Sequence, residues 1–203
     1  MTLIDISFLT LFSTSLALTA ALLLDFLLGE PKRFHHLVGF GHLASFIEKS
    51  LNSASNPTHN RTTSKVSSTY NRFKGAIAWL VLVTPLPIAY WYFITPLTWV
   101  WQLPIDTLVV YLAIGLRSLK EHAMQVYIPL KNGNFKLAQH FTGYLVSRNT
   151  EQLNEDDMSR ATVESMLENG HDAVIASLFY YVVGGAPLVI IHRLANTLDS
   201  MWG

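Results

Sequence analysis

Residues 3–28 read LIDISFLTLFSTSLALTAALLLDFLL and carry Asp5 and Asp25 as their charged side chains. About 20 helical residues cross the hydrocarbon core of a bilayer, so the stretch is long enough to span a membrane. A cleaved signal peptide begins with a basic region, but no Lys or Arg precedes Lys32. The stretch therefore predicts a membrane-spanning helix.

Three further apolar stretches fit membrane spans, at residues 75–95, 104–119 and 173–195. Pro85 and Pro87 should kink the second span, because proline removes a backbone donor. The last stretch is interrupted by Gly184-Gly185-Ala186-Pro187, which predicts a broken or re-entrant pair of half-helices. The predicted fold is an all-α polytopic integral membrane protein, one membrane domain over residues 1–203.

The composition supports this class and excludes others. Half of the 203 residues are hydrophobic and 14% are charged, whereas a soluble domain carries about a quarter charged residues. The absence of cysteine excludes thiolate catalysis and cysteine-ligated metals. A formal net charge of zero argues against a nucleic-acid-binding surface.

The positions of Lys and Arg predict the orientation. Seven of them lie between Lys32 and Lys74, while residues 96–103 contain none. Positive residues gather on the cytoplasmic side, so we expect the N-terminus outside and the polar segments inside. Residues 50–72 read as a polar flexible loop, and residues 120–172 as amphipathic cytoplasmic helices.

A polar stripe follows the acidic start Glu155-Asp156-Asp157. Arg160, Glu164 and Glu168 recur one helical turn apart, and His171 and Asp172 continue the same face. The stripe is either a solvated face with an ordinary Arg160–Glu164 pair or a site where carboxylates hold magnesium and Arg160 meets a phosphate. The pattern alone leaves both interpretations open.

Three other clusters admit two interpretations. Asp25 is an interfacial anchor or a functional carboxylate, and Glu121-His122 contacts an anionic substrate or lies at the membrane surface. Arg193, Asn196 and Asp199 follow the glycine break, where exposed backbone groups need a polar cavity. The chain contains no Walker A, GxGxxG, HExxH or GxSxG motif.

Taken in order, these segments resemble the adenosylcobinamide-phosphate synthases (CobD/CbiB family). The resemblance rests on motifs that extend over most of the chain: Asp25 with Gly29-Glu30-Pro31, His36, SLKEHA at 118–123, RATVESMLEN at 160–169 with Asp172, Gly184-Gly185-Ala186-Pro187, and Arg193 with NTLDSMWG at 196–203. The resemblance implies a multi-pass protein of the bacterial inner membrane with its active face in the cytoplasm.

The resemblance also implies an ATP-dependent, amide-forming ligase of cobalamin biosynthesis. Its substrates would be adenosylcobyric acid, a corrinoid, and (R)-1-amino-2-propanol or its O-phosphate, with Mg²⁺ assisting phosphoryl transfer. Other corrinoid-assembly enzymes are expected partners. The implied catalytic residues are Glu164, Glu168, Asp172 and Asp199, with Glu164 and Glu168 on magnesium, and the implied substrate-binding residues are Arg160, Asn169, Arg193, Asn196, His122, Glu121 and Asp25.

The chain departs from the family pattern at several positions. Ser147 and Asn149 replace a glycine and an aspartate, Leu37 replaces a proline, and Ala173 and Ser177 stand where glycine and proline are usual. The family also continues beyond the NTLDSM motif, so we expect a C-terminally incomplete member. A non-catalytic membrane signalling or accessory protein on the same scaffold is the alternative, and a small transporter a third hypothesis.

Overall fold

The structure is a computed structural model that describes residues 3–30, 36–52, 65–147 and 149–202. These residues form helices and connecting turns, with no β-strand among them. In chain order the helices are α1 (Leu3–Leu28), α2 (His36–Asn52), α3 (Lys65–Val83), α4 (Pro85–Phe93), α5 (Trp99–Ala113), α6 (Leu116–Lys131), α7 (Phe135–Thr142), α8 (Glu155–Gly170) and α9 (Ala176–Trp202), with a π-helical turn at His171–Ile175.

Within the described residues, four helical segments are long and apolar enough to cross a membrane, at Leu9–Leu28, Phe73–Phe93, Trp99–Lys131 and Glu155–Trp202. Their outer surfaces carry exposed apolar side chains such as Leu23, Phe26 and Val182. Lipid tails are as apolar as these side chains, so such a surface is stable in a bilayer. The protein is a polytopic all-α membrane protein, and the predicted fold class is confirmed.

Helix α1 packs closely against α5 and α9. Ala17 and Ala21 lie one turn apart on α1 and are fully buried. They share a core with Val110 of α5 and with Ala186 and Val189 of α9. Small side chains allow membrane helices to approach closely, which explains the alanines on this face.

The prolines divide the second predicted span into α3 and α4. The helix is interrupted at Thr84, and Pro85 and Pro87 occupy the first turn of α4. The carbonyl of Leu80 accepts from both the backbone N–H and the hydroxyl of Thr84, over 3.0 and 2.7 Å. The interruption lies where the prolines predicted a kink.

The third predicted span, residues 104–119, is not one helix. The chain is extended at Ile114 (ψ 149°), and α6 begins after Gly115. The carboxylate of Asp25 on α1 accepts a hydrogen bond from the backbone N–H of Arg117 over 2.9 Å. A side chain from another helix therefore caps α6 and stabilises the break.

Helix α9 reverses direction at its two glycines. Gly184 (φ −149°, ψ 21°) and Gly185 (φ 67°, ψ −164°) are both non-helical. A continuous helix would separate residues twenty positions apart by about 30 Å, yet His192 Nε2 lies 2.8 Å from the carbonyl oxygen of Asp172. The rings of Tyr180 and His192 also stack with centroids 4.8 Å apart. The predicted pair of half-helices is therefore a re-entrant hairpin.

The two limbs of this hairpin, residues 176–183 and 186–202, return the chain to the end from which it entered. Leu194 and Leu198 of the second limb pack against Leu82 of α3 and Ala44 of α2. We call this end of the bundle the polar end. It also contains the C-terminal end of α1 and the start of α6.

Helices α6, α7 and α8 form a polar lobe at the same end. The side chain of Asn154 caps α8 by accepting from the N–H of Asp157 over 2.9 Å, as the acidic start of the segment suggested. Gln139 of α7 donates to the carbonyl of Leu153 over 3.0 Å and so fixes the loop before α8. Of the predicted flexible loop at residues 50–72, residues 50–52 and 65–72 are helical and residues 53–64 lie outside the described part of the chain.

Candidate functional site

The returning limb of α9 places Arg193 at the polar end. Its side chain is partly buried, and its Nε has no hydrogen-bond partner among the described residues. The charges of Glu30, after α1, and Asp172, in the π-helical turn, are close enough to stabilise the guanidinium. Three segments that are distant in sequence therefore meet around one cation with an unused donor.

The π-helical turn holds Asp172 next to this cation. Its Oδ1 lies 3.0 Å from His171 Nδ1, and its carbonyl oxygen accepts from His192 Nε2. A carbonyl oxygen only accepts, so His192 carries a proton on Nε2 in this contact. Single π-helical turns recur at functional sites, and this one places a carboxylate and two imidazoles together.

Asn196 and Asp199 line a cavity of about 490 Å³ between α3 and the returning limb of α9. His192 and the indoles of Trp79 and Trp202 complete much of its wall. The cavity offers an amide, a carboxylate and an imidazole beside aromatic surface. Such a combination of polar groups and aromatic walls is typical of small-molecule sites.

Asp25 is 2% exposed at the end of α1. Its Oδ2 caps α6, but its Oδ1 has no hydrogen-bond partner among the described residues. The Tyr111 hydroxyl donates to the Gly29 carbonyl over 2.6 Å and fixes the turn that follows. The start of α6 therefore holds the Asp25 carboxylate through one oxygen and leaves the other without a donor among the described residues.

Arg117 closes the end of α1. Its Nη1 donates to the carbonyls of Phe26 and Leu27 over 3.2 and 2.8 Å, and its Nε donates to Glu121 over 3.0 Å. Gly29 has φ +67°, and a Cβ there would lie 3.0 Å from the Arg117 Cδ. The glycine of the Gly-Glu-Pro motif is thus required both by its backbone conformation and by close packing.

The polar stripe of α8 lies apart from these contacts. Arg160, Glu164 and Glu168 are exposed, and no ion pair within 4 Å joins them in the described part of the chain. Asn169 donates to the Ser165 carbonyl over 2.9 Å on its own helix. The ordinary Arg160–Glu164 pair is therefore absent, and no ion pair within the described residues neutralises the charges of the stripe.

The other predicted residues divide between the two cavities. Asp25 and Glu121 line a cavity of about 810 Å³ with Lys120, and Asn196 and Asp199 line the smaller one. His122 is exposed and lines neither of these two cavities. Among the described residues no three His, Asp or Glu side chains are grouped to hold a metal ion.

Sequence reasoning did not select four residues that the geometry brings to the site: Glu30, Arg117, His192 and Trp79. Arg117 offered a signal, because its charge falls near the end of a predicted span, as the charge of Asp25 does. Glu30 stands inside a quoted motif. His192 precedes Arg193, and its role depends on the chain reversal at the glycines, which sequence spacing alone does not specify.

The fold and the site define a polytopic all-α membrane protein. Its polar site lies where the re-entrant hairpin of α9 meets the C-terminal end of α1 and the start of α6. The chain belongs to the CobD/CbiB family, whose profile, described as CobD/Cbib protein, matches residues 18–203.

Several curated relatives are named "Cobalamin biosynthesis protein CobD". The chain is 43% identical to the protein of Chromobacterium violaceum and 42% identical to that of Stutzerimonas stutzeri, covering 94% of this chain and 58% of each relative. It is 33% identical to the protein of Halalkalibacterium halodurans, covering 93% of this chain and 56% of that one. The chain thus spans little more than half the length of these relatives. No solved structure matches it.

Proposed function

We propose that the chain acts in cobalamin biosynthesis as an ATP-dependent amide ligase. It would join (R)-1-amino-2-propanol, or its O-phosphate, to a propionate of adenosylcobyric acid to give adenosylcobinamide or its phosphate. Family membership and the names of the curated relatives support the pathway. The chemistry follows from the family resemblance together with the charged groups of the site.

One observation carries the proposal: charged and polar residues from separate sequence motifs lie together at the polar end. Arg193 is within electrostatic reach of Asp172 and Glu30. Glu30 is in turn within electrostatic reach of Asp25. Asn196 and Asp199 follow Arg193 on the same limb of α9. A bundle needs no such collection for stability, because buried charges cost more free energy than apolar packing. A site for charged substrates explains their retention.

The reaction would proceed in two steps. A carboxylate oxygen of the corrinoid attacks the γ-phosphorus of ATP, which forms an acyl phosphate and releases ADP. The amine nitrogen then attacks the acyl carbon, phosphate leaves with the C–O bonding pair, and the nitrogen loses a proton. Most of the acceleration would come from positioning and from cations aimed at developing negative charge.

The side chains of the site suit these steps. The guanidinium of Arg193 would bind a phosphate or propionate oxygen. Asn196 and Asp199 line the smaller cavity and would orient the substrate there. Asp172, hydrogen-bonded to an imidazole, is our candidate to receive the proton of the amine.

Magnesium fits the exposed carboxylates of α8. Glu164 and Glu168 lie one turn apart and form no ion pair with any residue that the structure describes, and Mg²⁺ often uses one or two carboxylates together with waters and substrate phosphates. The ion would supply charge neutralisation for the transferred phosphoryl group. Arg160, one turn earlier on the same face, would contact the phosphates.

The distribution of basic residues supports an orientation with the polar end in the cytoplasm, where ATP is available. We propose a bacterial inner membrane as the location. The corrinoid and the amine would then reach the site from the cytoplasm without crossing the bilayer.

The test is mass-spectrometric detection of adenosylcobinamide phosphate. Membranes carrying the chain are incubated with adenosylcobyric acid, aminopropanol phosphate, ATP and magnesium, alongside empty-vector membranes and membranes carrying the Chromobacterium violaceum relative. Product that depends on the chain supports the ligase. Product from the relative but none from the chain contradicts it and favours a non-catalytic accessory role.

Two substitutions test the assigned residues. At equal expression, Asp199→Asn and Glu164→Gln should each lower the product rate by about 100-fold or more, a magnitude typical for catalytic groups. Glu151→Gln is the matched control, because Glu151 is an exposed carboxylate on the loop before α8. Full activity in both site variants would rule out these assignments.

A further inference from the structure

Helix α2 has apolar side chains on two of its sides, and the bundle covers one of these sides. Ala44 is fully buried in a cluster with Leu194 and Leu198 of the returning limb of α9. Leu43 and Phe46, by contrast, are 52% and 68% exposed. We call these two residues the apolar side of α2. The bundle therefore holds the helix through one side and leaves the apolar side open.

A polar side lies opposite the apolar side. With 3.6 residues per turn, Leu43 and Phe46 share one side of the helix, and Glu48 lies about 160° around the helix from Phe46. The Glu48 side chain is exposed. Opposed apolar and polar sides are typical of a helix that lies in the plane of the bilayer interface.

The neighbouring helix α3 carries a surface that faces lipid. An apolar segment that is long enough to cross the membrane begins at Phe73, and Phe73, Ile77 and Leu80 are exposed on its outer surface. Such side chains are stable against acyl chains. Helices α2 and α3 pack against each other. The lipid that surrounds α3 therefore also borders α2.

The sequence around α2 is strongly basic. Residues 31–74 contain seven Lys and Arg and one acidic residue, Glu48. Lys49 lies on α2, and Lys74 lies on α3 next to the start of the apolar segment. Anionic lipid headgroups attract basic residues next to a membrane span. An apolar protein surface could cover the apolar side of α2, but it would leave this positive charge unbalanced.

We propose that α2 docks on the anionic bilayer surface at the polar end. Leu43 and Phe46 enter the acyl chains, and the basic residues around the helix meet the lipid phosphates. The buried side of α2 supports the limb of α9 that carries Asn196 and Asp199. The bilayer would therefore hold this limb in place through α2, whatever reaction the site carries out.

The depth of spin labels in phosphatidylglycerol nanodiscs tests the docking. The chain contains no cysteine, so Phe46→Cys and Glu48→Cys each give a single label. Accessibility to oxygen and to a water-soluble nickel chelate, measured by EPR power saturation, reports the depth. The label at position 46 should lie about 5–10 Å below the lipid phosphates. The label at position 48 is the matched control and should remain in water.

Two results would overturn the docking. If the nickel chelate reaches positions 46 and 48 equally, the apolar side of α2 is in water. If neither reagent reaches position 46, protein rather than lipid covers it. Both positions are exposed on the same helix, so neither label disturbs the buried side of α2.

Phosphatidylcholine nanodiscs test the role of charge. The label at position 46 should lie deeper in phosphatidylglycerol than in phosphatidylcholine, because the basic residues draw the helix toward anionic headgroups. The double substitution Lys49→Gln and Lys74→Gln should reduce this difference. Lys136→Gln, at an exposed lysine of α7, is the control and should preserve it. Equal depth in the two lipids without these substitutions would overturn the proposed recognition of anionic lipid.

Discussion

Two tyrosines from different helices donate to one carboxylate inside the bundle. Tyr181 of α9 binds Asp106 of α5 over 2.9 Å, and the hydroxyl of Tyr90 on α4 binds the other oxygen of the same side chain. Asp106 is visible in the sequence as an acidic residue within a predicted span. Its partners lie 75 and 16 positions away, so a local pattern does not identify them.

Removing one of these hydroxyls should destabilise the bundle. Tyr181→Phe is expected to lower the free energy of unfolding by about 0.6–1.7 kcal/mol, the range of side-chain hydrogen bonds between membrane helices. Unfolding in mixed micelles, followed by tryptophan fluorescence, measures the change. Tyr180→Phe is the control, because the Tyr180 ring stacks on His192 without a hydroxyl contact to Asp106. An equal loss in both variants would contradict the role of the hydrogen bond.

The sequence selects candidate site residues, but it does not specify how they are arranged. Asp25, Asp172, Arg193, Asn196 and Asp199 were selected from polar groups in unusual surroundings and from family resemblance, and all five lie at the polar end. Their mutual geometry depends on the direction of each chain reversal, which a one-dimensional pattern does not contain.

At the scale of elements, breaks in helices organise the site. The break at Gly184-Gly185 was predicted because two glycines and a proline interrupt an apolar stretch. The break between α5 and α6 was not, because Gly115 alone is a weak signal and the stabilising group, Asp25, comes from another helix. Local composition therefore predicts helix breaks that are caused by the segment's own glycines and prolines. It does not predict breaks that a side chain of a neighbouring helix stabilises.

The reversal in α9 depends on a backbone conformation that glycine adopts more readily than other residues. Gly185 has φ 67° and ψ −164°, a region that other residues enter at a cost of about 1–3 kcal/mol. Gly185→Ala should therefore lower the free energy of unfolding by that amount. Gly75→Ala, in helix α3 with no atom within 4 Å of an added Cβ, should leave it unchanged or raise it by less than about 1 kcal/mol. Equal effects of the two substitutions would contradict the reversal.

For the whole molecule, the hairpin determines which residues share a side of the membrane. If α9 crossed the bilayer, Asn196 and Asp199 would lie far from Asp25 and Asp172. Because its second limb returns, all four lie at one end. The apolar pattern predicted a membrane protein and its basic residues predicted an orientation, but neither distinguishes a crossing helix from a re-entrant one. The contact between His192 and the carbonyl oxygen of Asp172, twenty positions apart in the sequence, makes that distinction.

The arrangement of the site is tested most directly by the side of the membrane on which Ser200 lies. The chain contains no cysteine, so single-cysteine variants Ser200→Cys, Glu151→Cys and Thr98→Cys can be labelled with a membrane-impermeant maleimide in intact cells. The hairpin puts Ser200 and Glu151 at one end of the bundle and Thr98 at the other. With the orientation proposed from the basic residues, we expect Thr98→Cys to react in intact cells and Ser200→Cys and Glu151→Cys to react only after the cells are opened. Labelling of Ser200→Cys from the same side as Thr98→Cys would show that α9 crosses the membrane, and would contradict the site.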